Sequence, residues 1–177
     1  MSKNDNNIGC VQVYTGNGKG KTTAATGLAV RAIGAGMHVF IGQFIKGRDS
    51  SEMKLLRARC PEIKIEQFGE GRFIKGKPSD EAITKAHHGI ERLQNVLASG
   101  KYNMVIADEA NGALAAGVIS ISELMSLVDM RPTNVELVIT GRNAPSDLIE
   151  RADLVTEMKC IKHYFNAGLF ARDGIEK

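Results

Sequence analysis

After a polar opening, MSKNDNN, the chain turns to GCVQVY at residues 9–14, where apolar positions recur often enough to predict a β-strand. The pattern then switches: TTAATGLAVRAIGAG, residues 22–36, is built of helix formers, so strand, glycine-rich loop and helix follow one another. HVFIGQF, residues 38–44, predicts a second, buried strand. SSEMKLLRARC predicts a helix that Ser50 or Ser51 caps and that carries Met53, Leu55 and Leu56. IKIEQF predicts a strand ending at Gly69, and a helix is expected from Ser79 to about Leu97. YNMVIADEANGAL predicts a strand that stops at Asp108, ISELMSLVDM a helix, VELVITGR a strand and LVTEM a last one. Strands alternating with helices predict an α/β fold, a mainly parallel sheet with helices on both faces. The 177 residues make one domain by length, with residues 1–8 a flexible end.

Composition narrows this picture. A chain of this length buries roughly 70% of its unfolded surface, enough for a true core, and 43% hydrophobic with 24% charged residues is ordinary for a globular protein. The net charge of +3 is spread over small groups such as Lys46 with Arg48, Arg57 with Arg59, and Lys75 with Lys77. No stacking aromatics accompany them, so they read as a solvated surface and not as a nucleic-acid stripe. Cys10, Cys60 and Cys160 are far apart and odd in number; each is expected to be a small core residue, outside any disulfide or zinc arrangement. The first residues are too polar for a secretory signal, and no apolar run approaches the roughly 18 residues of a bilayer span. A cytoplasmic location without membrane contact is expected.

Candidate chemistry begins in the loop, where TGNGKGKTT reads G-x-x-x-G-K-T from Gly16 and not the usual G-x-x-x-x-G-K-[ST]. Between a strand and a helix, such a loop aims backbone N–H groups and the positive helix end at an anion. Gly16, Gly18 and Gly20 lack the Cβ atoms that would block the approach. Lys21 is placed to reach phosphate oxygens, and the Thr22 hydroxyl to bind a magnesium or manganese ion bridging them. Asp108 and Glu109, at a strand end, are expected as direct or water-mediated ligands of that metal. Arg142 ends another strand at the sheet edge where α/β folds bind ligands, and a phosphate contact and an exposed structural arginine are about equally expected there. Neighbouring His87 and His88 point apart on a helix, so one is expected to pack and one to be solvated. Residues 69–81, with three glycines and four charged residues before Ser79, form the best candidate for a mobile functional loop. The tail from Lys159 onward shows no period and is expected to be a solvated end.

Taken together, TGNGKGKTTAA, QFIKG at residues 43–47, ADEANGAL at 107–114 and TGRNAPSDLIERADLVTEM at 140–158 resemble the P-loop ATP:corrinoid adenosyltransferases of the cobalamin pathway. This family is also called cob(I)yrinic acid a,c-diamide adenosyltransferase. KHYFNAGLFARDGIEK resembles its closing segment. The resemblance implies a RecA-like P-loop sheet in a homodimer that binds ATP and a reduced corrinoid. It implies transfer of the 5′-deoxyadenosyl group to Co(I) with release of triphosphate, the electron coming from a donor such as a reduced flavoprotein. It also implies that the short loop holds the triphosphate in the reverse sense. Lys21 and Lys19 would stabilise the leaving polyanion, and Asn17, Thr23 and the loop glycines would contact nucleotide. Two departures stand out. Where the family carries an aromatic GFTW-like segment near the corrinoid, this chain reads GEGRFIKG and has no tryptophan, leaving Phe73, with Phe68 as a weaker helper, for that role. Tyr164 stands where a proline is usual, a change expected to loosen that turn.

Two other classes fit the loop and the carboxylates. A P-loop ATPase or kinase would use the same magnesium with a water, and an ATP-binding module would use the loop without turnover. A GTPase fits less well, because no Asn-Lys-x-Asp segment is present.

Overall fold

The protein is described here by a computed structural model covering residues 8–71 and 76–176. Six strands form one sheet: β1 (Val11–Thr15), β2 (Val39–Phe44), β3 (Ile63–Phe68), β4 (Met104–Asp108), β5 (Glu136–Thr140) and β6 (Leu154–Glu157). They lie in the order β3-β2-β4-β5-β1-β6, and every neighbouring pair is parallel. Parallel neighbours need long crossovers, and helices supply them: α1 (Lys21–Gly34), α2 (Ser51–Arg59), α3 (Asp80–Ala98), α4 (Ala110–Ala115), α5 (Ile121–Met130) and α6 (Ser146–Arg151).

Alternation along each strand divides the core in two. Val39 and Ile41 of β2 pack with Ile63, Ile65, Ile106 and Val138 beneath Ala25, Ala29 and Ala32 of α1 and Met53 and Leu56 of α2. Phe40 and Phe44 point the other way, into a larger cluster with Leu93 and Leu97 of α3 and Leu124 and Leu127 of α5. Helices therefore cover both faces, and central strands buried on both sides read as the continuous apolar runs expected of a parallel sheet. Ser79 caps α3, its hydroxyl accepting from the Ala82 N–H at 3.0 Å, and Ser120 with Glu123 closes a reciprocal cap on α5.

Several expectations need correction. α4 and α6, six residues each, were not anticipated because so short a stretch shows no helical period. Ser50 does precede α2, but its side chain makes no capping bond. His87 and His88 are both exposed; His87 pairs with Glu123 of α5 and His88 sets its ring edge against Phe68. Cys10 and Cys60 are half-buried, and Cys160 is exposed where the tail leaves the sheet. That tail is not simply solvated. Its short 3₁₀ turn, Tyr164–Ala167, and the residues after it return to the glycine-rich loop. The expected flexible end falls, for residues 1–7, outside the described residues, as do 72–75 of the candidate mobile loop.

Candidate functional site

The loop between β1 and α1 is shaped first by its neighbours. Gly16 and Gly20 adopt φ values of 95° and 123°, the left-handed region that favours glycine. A Cβ on Gly16 would stand 2.5 Å from the Met158 carbonyl oxygen, and one on Gly18 2.7 Å from the same atom. The segment after β6 thus runs tightly along the loop: the Gly18 N–H donates to Met158 O at 2.7 Å, and the Met158 N–H to Thr15 O at 2.8 Å. The glycines permit this packing as well as any anion's approach. No side chain caps the N-terminus of α1, so its first-turn N–H groups and the positive helix end keep their capacity for a ligand. Lys21 is 6% exposed, and its ammonium donates to Gly16 O at 2.7 Å and Gly18 O at 2.8 Å. Burial lowers its pKa, more than offsetting the carboxylates nearby.

Asp108 lies at the end of β4, 1% exposed, with every approach taken. Its Oδ1 accepts from the hydroxyls of Thr22 and Thr140, both at 2.8 Å, and its Oδ2 from Gln43 Nε2 and Lys46 Nζ, both at 2.9 Å. Strand order explains the set. β5 lies between β1 and β4, so Thr140 at its end stands between the loop and the carboxylate, and parallel register places Gln43 of β2 opposite Asp108. Burial, the largest single influence, pushes the Asp108 pKa up, but Lys46 and the hydrogen bonds from Lys46, Thr140 and Gln43 outweigh it and the carboxyl stays below its ordinary value.

Glu109 follows in a left-handed conformation, φ 60°, with its N–H donating to Thr140 Oγ1 at 2.9 Å. Burial, and then the adjacent Asp108, raise its pKa. A Cβ on Gly112 would come within 2.8 Å of Glu109 Oε2, so that glycine leaves room for the carboxyl. Ile45 and Asn143 are also left-handed, with φ of 63° and 56°. All three lie just beyond strand ends, at one edge of the sheet. Strained backbone gathered at one edge is characteristic of functional sites.

That edge opens into a cleft of about 930 Å3. Asn17, Gly18, Lys19, Gly20, Lys21, Thr22, Thr23, Glu109 and Arg142 all line it, and Asp108 closes its floor through Thr22. Gly16 supports the loop from below, through the carbonyl that Lys21 engages. Thr22 Oγ1, Asp108 and Glu109 are hard oxygen donors suited to magnesium or manganese. Among the described residues no group of three or more His, Cys, Asp and Glu gathers to hold an ion alone, so this set fits a cation that shares its ligands with phosphate. Phe73 lies outside the described residues. Phe68 is 5% exposed and packs on Phe44 in the core, so it cannot also face a large ligand.

Sequence reasoning missed Gln43, Lys46 and Thr140, although the first two fall within QFIKG and the third opens TGRN. It also missed the tail: Lys19 Nζ donates to Tyr164 Oη at 3.0 Å, Ile175 O at 2.9 Å and Glu176 Oε1 at 2.9 Å. Tyr164 therefore ties its segment down instead of loosening it.

A parallel α/β sheet, a glycine-rich loop leading into a helix, and a loop threonine hydrogen-bonded to a strand-end aspartate define a protein of the P-loop type. Comparison with known proteins goes further. A family model described as ATP:corrinoid adenosyltransferase BtuR/CobO/CobP matches residues 7–176. A corrinoid adenosyltransferase of Pseudomonas aeruginosa is 37% identical over 169 residues, covering 95% of this chain and 83% of its own. One from Salmonella typhimurium is 37% identical over 171 residues, covering 95% and 85%, and one from Sinorhizobium sp 36% over 179, covering 99% and 84%. The chain belongs to the ATP:corrinoid adenosyltransferase family.

Proposed function

We propose that this protein transfers the 5′-deoxyadenosyl group of ATP to the reduced Co(I) centre of a corrinoid, in adenosylcobalamin synthesis or salvage. Cobalt supplies an electron pair to C5′, a Co–C bond forms, and the C5′–O5′ bond breaks. Its electron pair leaves with inorganic triphosphate. Co(I) is already a strong nucleophile, so no protein base is required. The chain's task is to hold the ribose carbon in line with cobalt and to stabilise a departing polyanion in a site partly closed to water.

The observation that carries this reading is the linked set Lys21, Thr22 and Asp108 beneath a shortened loop, in a chain of this family. Lys21 and Lys19, with the amides of residues 16–20, hold the triphosphate in the reversed sense, so that C5′ and no phosphorus meets the attacking metal. Thr23 and Asn17 contact the nucleotide, and Arg142 the phosphate chain. Thr22, Asp108 and Glu109 hold a magnesium or manganese ion, directly or through water, which supplies charge neutralisation to the triphosphate. Phe73 is assigned to the corrinoid on the resemblance alone.

The protein acts as a homodimer, to which the exposed edge strand β6 offers a pairing face; Leu154 and Val155 are 44% and 40% exposed. Its three free cysteines suit a reducing cytoplasm, where a reduced flavoprotein delivers the electron. The test is incubation with ATP, magnesium and chemically reduced corrinoid. Triphosphate together with an adenosylated corrinoid is the expected outcome. Orthophosphate made without corrinoid would indicate an ATPase, ADP with a phosphorylated acceptor a kinase, and ATP binding with no product a binding module.

A further inference from the structure

Lys46 reaches deep into the cleft without a part in the transfer just described. It follows Ile45, a β-branched residue in the left-handed region, where such residues persist only if their surroundings over-determine them. Here they do. A Cβ on Gly69 would stand 2.2 Å from the Ile45 carbonyl carbon, and one on Gly47 2.3 Å from the Gly71 nitrogen, so the turns after β2 and β3 are clamped together. The Lys46 N–H closes its turn on Phe44 O at 2.6 Å. From this fixed base the side chain places its ammonium 2.9 Å from Asp108 Oδ2 and 3.3 Å from Thr22 Oγ1.

These two oxygens belong to the set that a magnesium of the phosphate site would approach. An ammonium bridging them supplies a positive charge where the site's chemistry requires one, and it neutralises a carboxylate that burial would otherwise penalise heavily. The side chain is 32% exposed and lines the cleft, so its head can swing outward while its stem stays seated. We infer that Lys46 is an internal stand-in for the metal. In the nucleotide-free protein it bridges Thr22 and Asp108. When metal and polyphosphate enter together, its ammonium moves from Asp108 to the phosphate chain. The site then admits a divalent cation only in company with the polyanion, and Asp108 is never left unpaired. This rests on the proposed assignment of Thr22 and Asp108 to the metal.

The test is Mn2+ binding followed by electron paramagnetic resonance, with no nucleotide present. The wild-type chain is expected to bind Mn2+ weakly alone and tightly once tripolyphosphate is added. Lys46→Met and Lys46→Gln are each expected to bind Mn2+ alone at least about tenfold more tightly, since a bridging charge has been removed from its site. Their melting temperatures are expected to rise with Mn2+ where the wild type's does not, and Lys46→Arg, which keeps the charge, to behave as wild type. Equal Mn2+ affinity of the variants and the wild type would overturn the inference, since Lys46 would then not be holding the cation's place. Tight Mn2+ binding by the wild type alone would overturn it as well, even if neither neutral variant folds. Neither result bears on adenosyl transfer, which the corrinoid assay decides separately.

Discussion

Asp108 concentrates the energetics of the site, because one buried carboxylate organises groups from β2, the turn after it, β5 and α1. Thr140 is the hinge of this arrangement: its hydroxyl donates to Asp108 and accepts from the Glu109 N–H. Thr140→Val keeps shape but leaves a buried donor and part of a carboxylate unsatisfied. It is expected to cost about 1–3 kcal/mol of stability, measured by urea denaturation. An unchanged midpoint would mean that water replaces the hydroxyl. Lys21→Ala acts on a different quantity. On the proposed function it removes a donor to the departing triphosphate and is expected to lower kcat by about a hundredfold or more. Of this site, Lys21, Thr22, Asp108 and Glu109 were legible because motif spacing marks them. Gln43, Lys46 and Thr140 were not, because their importance comes from strand order, which brings together positions 32 to 65 residues from Asp108. No local pattern of apolar and polar residues carries that information.

At the scale of elements, the fit between α3 and the sheet turns on one missing side chain. Gly89 lies inside α3, where alanine would ordinarily be favoured by about 1 kcal/mol. A Cβ there would stand 2.7 Å from Phe68 Cγ, and Phe68 is wedged against Phe44. Gly89→Ala is therefore expected to destabilise the protein by about 1–3 kcal/mol, overpacking outweighing propensity. Thermal unfolding of the variant decides it, and a raised melting temperature would show that the helix can shift. All six strands were readable from their apolar or alternating positions, and α3 from the start at Ser79. Boundaries slipped by a residue or two at several elements; at β1 and β2 the predicted first residues, Gly9 and His38, instead bond to the turns before β5 and β4. Strand order was beyond reach, since crossovers of similar length connect adjacent strands and distant ones alike.

The molecule as a whole folds back on its own loop, and this is where the sequence was least informative. Residues 163–176 have no period because they are held by ionic and backbone contacts and not by an apolar face. Glu176 is the knot, receiving hydrogen bonds from Arg172, Tyr164 and Lys19. Those from Arg172, and then Tyr164, hold its carboxyl well below the usual carboxylate range. A depressed folded-state pKa means that the contact contributes fully at any pH above the ordinary carboxylate value. It is lost only as pH falls through the depressed one, so the tail is expected to stay docked, with unchanged hydrogen-exchange protection factors at its amides, between neutral and mildly acidic pH. The same carboxylate occupies Lys19 at the mouth of the cleft, where the triphosphate of the proposed reaction would compete for that ammonium while meeting a like charge. Glu176→Gln is accordingly expected to tighten tripolyphosphate binding by about two- to fivefold, the scale of an exposed ion pair, with a smaller gain in high salt. Calorimetry on the two chains measures it. Weaker binding by the variant would mean that the tail forms part of the anion's seat, its carboxylate positioning Lys19 for the phosphate instead of withholding it.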